Sequence, residues 1–291
     1  MIKLFWNTHN QIKINGKENR ESIWGKYHRE NSDKWIYEVL KKVRFKEVKS
    51  EEEVEKNDTL LIIDSNVINK VDFYSKLNLI CSKIFLIHLG DETGLHDPSS
   101  IYKNCHHIWR TFCSNVYFDN KKVSCLPLGY KSGIIFNKEV KEREYKWSFI
   151  GTPHKSSRHD LLFQLSNIKP SYFFKTKKFK NDILAIKDMN KVLSSTEFLP
   201  CPNGFVHPET YRLYEALESG CIPIVENAFK YYDRLLPNNP FLKVDMWSEA
   251  KIIIKGWTKD QIKMKQEECK IWWEKQKKKL QESFYQKINH E

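Results

Sequence analysis

The sequence predicts an α/β protein in which two parallel sheets are each covered by helices. Three observations predict this class. Short β-rich runs alternate with stretches of helical spacing along most of the chain. Two of these runs, at 59–64 and 83–89, are apolar nearly throughout, as in strands buried on both faces. The alternation starts again at residue 146, and 291 residues are enough for two domains.

The first half of the chain supplies one of the two sheets. It is predicted to contain strands at 2–6, 59–64 and 83–89 and helices at 33–43 and 72–81. Shorter strand-like segments follow at 106–109 and 123–128. The loop 90–98 leaves the carboxyl end of a strand, the edge at which open α/β sheets bind ligands. We expect residues 1–136 to form one domain, followed by a polar linker at 137–146.

The second half repeats the alternation. We predict strands at 146–150, 171–174, 196–199 and 221–225, and helices at 158–165, 181–193 and 211–219. Ser156 or Ser157 is placed to cap the first of these helices, and Gly220 is placed to end the last. We expect residues 137–258 to form the second domain.

The last segment, 259–291, has the pattern of one long amphipathic helix. Its apolar stripe consists of Ile262, Cys269, Trp273, Leu280 and Phe284. This stripe predicts a helix that packs back onto the body of the protein and returns towards the first domain. The opposite face is basic, which leaves peripheral contact with anionic lipid open.

The charge balance limits the kinds of partner. The chain has 49 Lys and Arg against 37 Asp and Glu, a formal net charge of +12. This excess favours an anionic partner: nucleic acid, a membrane surface, or a phosphorylated small molecule or glycan. Charge by itself does not choose among these.

The cysteines and the hydropathy pattern indicate the compartment. Seven scattered cysteines with no C-x-x-C pair fit reduced thiols better than disulfides or zinc ligands. The adjacent pair His106 and His107 would point to opposite faces of a strand, which disfavours a shared metal. With no membrane span or signal-peptide pattern, we expect a cytoplasmic protein, with contact at the inner face of the membrane left open.

The segment from Phe149 to Arg158 has the features of an anion site. A strand runs through Gly151 and Thr152 into the start of a helix, where backbone amides and the helix dipole favour negative charge. Lys155 and Arg158 add formal positive charge there. A diphosphate would fit this site, although the segment has neither the G-x-G-x-x-G nor the Walker pattern.

The segment 198–225 is more specific. A loop containing Pro202 and Gly204 follows a strand and brings Thr210, Tyr211 and Arg212 to the start of the next helix. There, a hydroxyl and a guanidinium can bind phosphate oxygens. Glu215 lies one turn further on, where its carboxylate can accept hydrogen bonds from two ribose hydroxyls. The arrangement can hold a nucleoside diphosphate at both ends.

The same segment resembles the exostosin-like glycosyltransferases, including the ribitol xylosyltransferase type. Residues 198–225 resemble the family pattern "F-x-L-x-P-x-G…T-x-R-L-x-E-A-L-x-x-G-C-I-P-V-I". Shorter pieces that also match are Trp147–Gly151 with the following Arg158, Leu126–Tyr130 and His88–Glu92. Related families often carry a Glu eight residues before the position of Glu215, where this chain has His207, so the role of His207 is open.

The resemblance implies the B-type glycosyltransferase fold, with two facing Rossmann-like domains. It implies a donor held mainly by the second domain and an acceptor held mainly by the first. It also implies catalysis without a metal or other cofactor, and inversion at the anomeric carbon. An inverting transferase needs a base that takes the proton of the attacking acceptor hydroxyl.

We predict that Asp91 is this base, because it follows a strand on a loop expected to border the acceptor. Glu92 and His96 are the alternatives, and Asp91 could instead order the loop. Trp109 and Arg110 are candidates for an acceptor groove, with core packing as their other interpretation.

The favoured function is therefore the transfer of a sugar from a nucleotide donor, a UDP-sugar by resemblance, to a glycan or polyol-phosphate acceptor in the synthesis of surface polysaccharide or glycoconjugate. The acceptor could be lipid-linked. One alternative is a basic nucleic-acid-binding protein, although Lys and Arg are spread along the chain and no recognition motif is present. The other is a protein that binds nucleotide sugars without catalysis.

Overall fold

The computed structural model describes residues 1–7, 13–14, 17–18, 20–95, 97–136, 142–176 and 184–290. The chain forms two compact units, one of Met1–Pro127 with Lys278–Glu291 and the other of Leu128–Lys277. Each unit contains one parallel sheet with helices, which confirms the predicted α/β class and the two-domain fold.

Unit 1 is built on a six-stranded sheet in the order β4-β1-β5-β6-β7-β8. Its strands are β1 (Ile2–Trp6), β4 (Lys46–Val48), β5 (Thr59–Asp64), β6 (Lys83–His88), β7 (His107–Arg110) and β8 (Val123–Cys125), and β2 (Lys13–Ile14) pairs with β3 (Lys17–Glu18) as a small hairpin. Its helices are α1 (Arg20–Val39), α2 (Val71–Ile80), α3 (Ser99–Tyr102) and α4 (Asn115–Phe118). The six strands pair in parallel.

The two central strands of unit 1 are buried on both faces, as their apolar sequences predict. Leu60–Ile63 of β5 are wholly buried, and so are Phe85–Ile87 of β6. Side chains from α2 and α3, including Tyr74, Leu77 and Ile101, close one face of the sheet. The helix predicted at 33–43 is the second part of α1, which begins earlier, at Arg20.

One expectation about the cysteines is wrong. Cys113 and Cys125 form a disulfide, with their Cα atoms 5.7 Å apart, while Cys81, Cys105, Cys201, Cys221 and Cys269 are free thiols. The sequence shows two residues 12 positions apart without a cysteine motif. The structure places one just after β7 and the other at the end of β8, and these strands are neighbours.

Unit 2 is built on a five-stranded parallel sheet in the order β10-β9-β11-β12-β13. Its strands are β9 (Tyr145–Gly151), β10 (Ser171–Lys175), β11 (Thr196–Cys201), β12 (Ile222–Glu226) and β13 (Leu242–Val244). Its helices are α5 (Arg158–Leu165), α6 (Ile186–Ser194), α7 (Tyr211–Glu218), α8 (Tyr231–Leu235) and α9 (Trp247–Gly256). Helix α10 (Lys259–His290) ends the chain.

Helix α5 has the predicted bounds but not the predicted cap. Ser157 stands at its N-cap position without a side-chain hydrogen bond to the helix, because its hydroxyl accepts from Trp247 Nε1 at 3.0 Å. Ser156 has a left-handed backbone, with φ at +50°. The serine next to the helix therefore anchors α9 instead of capping α5.

The apolar stripe of α10 is buried as predicted at four of its five positions, and the fifth, Leu280, is partly buried. Ile262, Cys269, Trp273 and Phe284 are each at most 3% exposed. In unit 2, Trp273 Nε1 and Lys277 Nζ each donate to Glu218 at 2.7 Å. In unit 1, Phe284 stacks on Trp109, with their ring centroids 4.2 Å apart.

The change from one unit to the other lies at Pro127 and Leu128, before the expected boundary at residue 136. The backbone amide of Leu128 already donates to Glu209 of unit 2, at 2.6 Å. Half of the predicted linker, 137–141, lies outside the described residues, as does the start of the helix predicted at 181–193. Within 142–146, β9 begins at Tyr145.

Candidate functional site

The chain changes direction once within the sheet of unit 2. From β9 it passes to β10 on one side, and it then crosses back to β11 on the other. The loops that leave the carboxyl ends of β9 and β11 therefore diverge. This topological switch point is where open α/β sheets bind ligands, and both sequence motifs of the second half lie there.

Arg212 crosses from α7 to the end of β9. Its Nη2 donates to the carbonyl oxygen of Ile150 at 2.8 Å, and its guanidinium lies 4.7 Å from the ring centre of Phe149. Burial lowers the pKa of the guanidinium, opposed by the nearby Cys201 and Glu215. Arginine stays protonated even so, which leaves a positive charge held at the end of β9.

Gly151 makes room for this guanidinium. Its φ is +148°, a backbone conformation that other residues rarely adopt, and a Cβ at this position would lie 2.7 Å from Arg212 Nη2. The glycine of the predicted anion motif therefore has a steric role. It lets Arg212 approach the backbone of β9.

Thr210 and Glu215 are placed on either side of Arg212 along α7. Thr210 is the N-cap residue of α7, but its buried Oγ1 has no hydrogen-bond partner in the part of the chain that the structure describes. Glu215 is 6% exposed, and burial raises its pKa against the opposing charges of Arg212 and Lys131. Among the described residues it forms no ion pair within 4.0 Å.

The loop after β9 is held by Arg158 and Thr152. The buried Arg158 donates from Nη1 to the carbonyl oxygen of Thr152 at 3.0 Å, and Thr152 Oγ1 lies 2.8 Å from Thr176 Oγ1. Lys155 extends over the ring of Phe205, 5.9 Å from its centre. Arg158 therefore shapes the loop, while Lys155 brings positive charge to the loop that follows β11.

His207, where related families often carry a Glu, contacts the backbone of the loop after β11 at two points. Its Nδ1 accepts from the amide of Glu209 at 3.1 Å, and its carbonyl oxygen accepts from the amide of Gly204 at 2.9 Å. Its ring meets that of Tyr231 edge to face at 4.8 Å. Of the other predicted residues, Pro202 is buried at the start of this loop and Tyr211, partly buried, opens α7.

Glu209 is a residue that the sequence did not single out. It is 1% exposed and accepts from Leu128 N at 2.6 Å and from the hydroxyls of Tyr214 and Tyr231. Burial beside this carboxyl raises the pKa of both tyrosines. A carboxylate immediately before an N-cap threonine is the signal that could have drawn attention to it. Its partners fix the approach of the chain to α7.

In unit 1, Asp91 lies at the carboxyl end of β6 in a buried ion pair. Its Oδ2 accepts from Arg110 Nη2 at 2.6 Å, and both side chains are at most 2% exposed. Its backbone is left-handed, with φ at +57°. Arg110 also donates to Tyr102 Oη at 3.2 Å and lies over the ring of Tyr117. The structure thus brings Asp91 and Arg110 together, at the sheet edge where the sequence places them.

The remaining acceptor-side candidates are separate from this pair. Trp109 is 2% exposed and packs between Phe284 and Phe85, which is the core role left open by the sequence. Glu92 is partly buried in the loop after β6. His96 lies outside the described residues.

Unit 1 also has a switch point, between β1 and β5, and it holds a polar cluster that the sequence did not predict. The wholly buried Asp64 accepts from Asn7 Nδ2 at 2.9 Å, from Tyr74 Oη at 3.1 Å and from Lys70 Nζ at 2.8 Å. Burial raises the pKa of Asp64, and the charge of Lys70 opposes this. The Asp64 carboxylate therefore receives hydrogen bonds from all three of these side chains.

Across the described ranges, no three His, Cys, Asp or Glu side chains are grouped as metal ligands are. His107 uses its Nε2 towards Ser124 Oγ at 2.9 Å, and His106, its neighbour, is exposed. The two histidines therefore face apart, as their strand position predicts.

Comparison with known proteins gives this site its context. Residues 135–291, more than half of the chain, match the family model described as the RXYLT1 C-terminal domain. The chain belongs to this family. It is a glycosyltransferase, as the resemblance of residues 198–225 implied. The matched region contains Arg212 together with Gly151, Thr210 and Glu215.

Two further findings come from the comparisons. Among solved structures, an alpha1,3-fucosyltransferase with GDP-fucose is similar to this chain, with a TM-score of 0.49 and 13% sequence identity over 91% of this chain and 80% of that chain. The curated proteins gave no match. Within the described residues of this glycosyltransferase, no helix combines the length and the apolar character needed to cross a bilayer.

Proposed function

We propose that the chain transfers a sugar from a nucleotide-sugar donor, a UDP-sugar, to a glycan or polyol-phosphate acceptor, with inversion and without a metal or other cofactor. The observation that carries the proposal is the set of groups at the switch point of unit 2. There, Arg212 is fixed beside Gly151, the buried Thr210 hydroxyl has no hydrogen-bond partner among the described residues, and the carboxyl of the buried Glu215 lies near the charges of Arg212 and Lys131.

A nucleoside diphosphate supplies the partners that this cluster lacks. Its phosphate oxygens accept hydrogen bonds from Arg212 and from the Thr210 hydroxyl, and Lys155 adds a second positive charge. Its ribose hydroxyls donate to Glu215. An ionised Glu215 is costly while it is buried alone, and two hydroxyl donors offset that cost.

The same groups support departure of the donor's nucleoside diphosphate without a metal ion. As the bond from the anomeric carbon to the diphosphate breaks, negative charge grows on the phosphate oxygens. Arg212 is already oriented by Ile150 and Phe149, so it needs no rearrangement at that moment. A fixed guanidinium in a buried site takes the place that a divalent cation fills in other transferases.

Asp91 is the proposed base. One of its carboxylate oxygens takes the proton of the acceptor hydroxyl as that oxygen attacks the anomeric carbon. The ion pair with Arg110 holds the carboxylate in one position. Glu92 and His96 are the alternatives on the same loop.

Positive charge suits a phosphorylated acceptor as well as the donor, since the chain carries a net +12. We propose that the acceptor belongs to a surface polysaccharide or glycoconjugate, including lipid-linked forms. We also propose that the enzyme works in the cytoplasm, at or near the inner face of the membrane.

Titration calorimetry or thermal shift with UDP, GDP, CDP and an oligonucleotide tests the donor class. We expect one nucleoside diphosphate to bind and to raise the melting temperature, and we expect UDP to be that ligand. Binding of the oligonucleotide without any response to a nucleoside diphosphate would overturn the proposal in favour of a nucleic-acid-binding protein.

A further inference from the structure

Three apolar side chains stand out from the carboxyl edge of the sheet in unit 2. Phe205 and Val206, at the tip of the loop after β11, are 73% and 54% exposed. Phe229, in the loop after β12, is 93% exposed, so its ring contacts almost nothing of its own chain. Soluble proteins routinely expose single apolar residues, but three of them at the tips of adjacent loops are a group that calls for an explanation.

The two loops are joined, so their tips belong to one surface. The amide of Asn203 donates to Glu226 Oε2 at 2.7 Å, which ties the start of one loop to the end of β12. The ring of His207, next to Val206, meets that of Tyr231. Tyr232 Oη donates to the carbonyl oxygen of Pro208 at 2.9 Å. We call Phe205, Val206 and Phe229 the tip cluster.

The backbone of the second loop carries strain to hold Phe229 outward. Phe229 and Lys230 both have φ at +53°, the left-handed region that L-residues avoid. Such a backbone conformation is strained and persists only where the surroundings hold it. Here Asn227 N donates to Val244 O at 2.9 Å on one side of the turn, and the buried Tyr231 and Tyr232 hold the other.

Positive charges accompany the tip cluster. Lys155 lies over the ring of Phe205, and the exposed Lys230 directly follows Phe229. Two acids nearby are engaged: Glu226 accepts from Asn203, and Asp233 pairs with Lys243 at 2.6 Å. The surface ends at β13, where Asp245 is exposed.

We propose that the tip cluster, with the exposed Lys230, docks the enzyme onto an anionic lipid bilayer. Side chains that protrude singly from loop tips suit insertion into a fluid medium, whereas a protein partner is met by a flatter and better packed surface. The lysine beside them, Lys230, matches anionic head groups. The buried stripe of α10 is occupied in packing, but Met264 and Ile271 of the same helix are exposed, so the test must separate the tail helix from the tip cluster.

Flotation with vesicles tests this without donor or acceptor, so its outcome does not depend on the proposed transfer. Wild type should bind vesicles of equimolar phosphatidylglycerol and phosphatidylcholine, and should bind pure phosphatidylcholine much less. Phe229→Ala and Phe205→Ala should each lower the partition coefficient about fivefold, because each removes one inserted aromatic ring. Lys230→Gln should lower it about fivefold on the anionic vesicles only.

The matched control is Phe163→Ala, which removes an equally exposed phenylalanine, 71% exposed, from the second half of α5. This variant should bind like wild type. The proposal is overturned if wild type ignores anionic vesicles, which would leave the tip cluster to an acceptor or a protein partner. A second outcome also overturns the proposal: the double variant Phe205→Ala with Phe229→Ala floats like wild type, whereas the double variant Lys278→Gln with Lys279→Gln does not. The tail helix would then be the part of the enzyme that contacts the bilayer.

Discussion

The polar groups at the carboxyl edges of the two sheets differ in how far they satisfy one another. In unit 1, the two buried aspartates are paired with cations, Asp64 with Lys70 and Asp91 with Arg110, although the buried Nε of Arg110 has no hydrogen-bond partner among the described residues. In unit 2, Arg212 and Glu215 form no ion pair among the described residues, and the Thr210 hydroxyl there has no partner. Similar topology thus creates a switch point in each unit, and the two switch points differ in how their polar side chains are paired.

The difference in pairing between the two sheet edges has an energetic consequence. A buried polar group without a partner costs roughly 1–3 kcal/mol, and a charged one costs more. Unit 1 reduces this cost for its two buried aspartates by pairing each of them with a cation. Unit 2 accepts the cost around Arg212, so a ligand that supplies the missing partners gains affinity from it. This is the physical reason for assigning the donor to unit 2.

The largest expected effect is that of Asp91→Asn on turnover. Loss of the base should lower the release of nucleoside diphosphate in the presence of acceptor by about 10²- to 10⁴-fold, with donor affinity nearly unchanged. The substitution also breaks a buried ion pair and therefore lowers stability. Asp64→Asn is the matched control, because it breaks the other buried pair of unit 1 and should leave turnover near wild type. Equal turnover in the two variants would reduce Asp91 to a residue that orders its loop.

Arg212→Ala should weaken donor binding by about 10- to 100-fold, the value of charge-assisted hydrogen bonds to phosphate. Calorimetric titration with UDP measures it. In contrast, Lys70→Ala in unit 1 should lower the melting temperature and leave the affinity for UDP unchanged. The reverse pattern, with UDP affinity lost in the Lys70 variant, would move the donor to the other switch point.

Gly151→Ala should weaken UDP binding by about tenfold, because the added Cβ meets Arg212 Nη2 and the backbone conformation is strained for alanine. Gly256→Ala serves as the control. Nothing lies within 4 Å of its Cβ position, at the end of α9. That variant should bind UDP like wild type and melt at the same or a slightly higher temperature. Unchanged affinity in Gly151→Ala would show that the position of Arg212 is not critical.

The smallest expected effect is on stability without ligand. Burial raises the pKa of Glu215, so the folded protein favours its protonated form, and stability is lost as the pH rises through that raised pKa. Glu215→Gln should therefore raise the melting temperature at neutral pH, and the gain should shrink near pH 4.5, the ordinary pKa of glutamate. A gain that does not depend on pH would contradict the assignment of a buried, partnerless carboxylate. In the presence of UDP the gain should reverse, because the variant loses an acceptor for the ribose.

Much of the fold could be predicted from local pattern. Helix α5 has the predicted bounds, and β1 and β5 are where their apolar runs place them. The positions of Thr210, Arg212 and Glu215 on one helix start also follow from the sequence, because the strand, loop and helix succeed one another directly. The cap at Ser157 failed because its hydroxyl was taken by Trp247, a residue 90 positions away.

The sequence by itself determined the order of most strands and helices, though not, for example, β4, β13, α8 and α9, together with the proposed donor motif and the family to which the chain belongs, since these depend on neighbours along the chain. Only the tertiary structure decided which buried groups are paired. Arg110 meets Asp91, Glu209 meets Tyr231 and Cys113 meets Cys125 because strand order brings distant segments together. Whether a buried charge stabilises the fold or waits for a ligand is set by those distant partners.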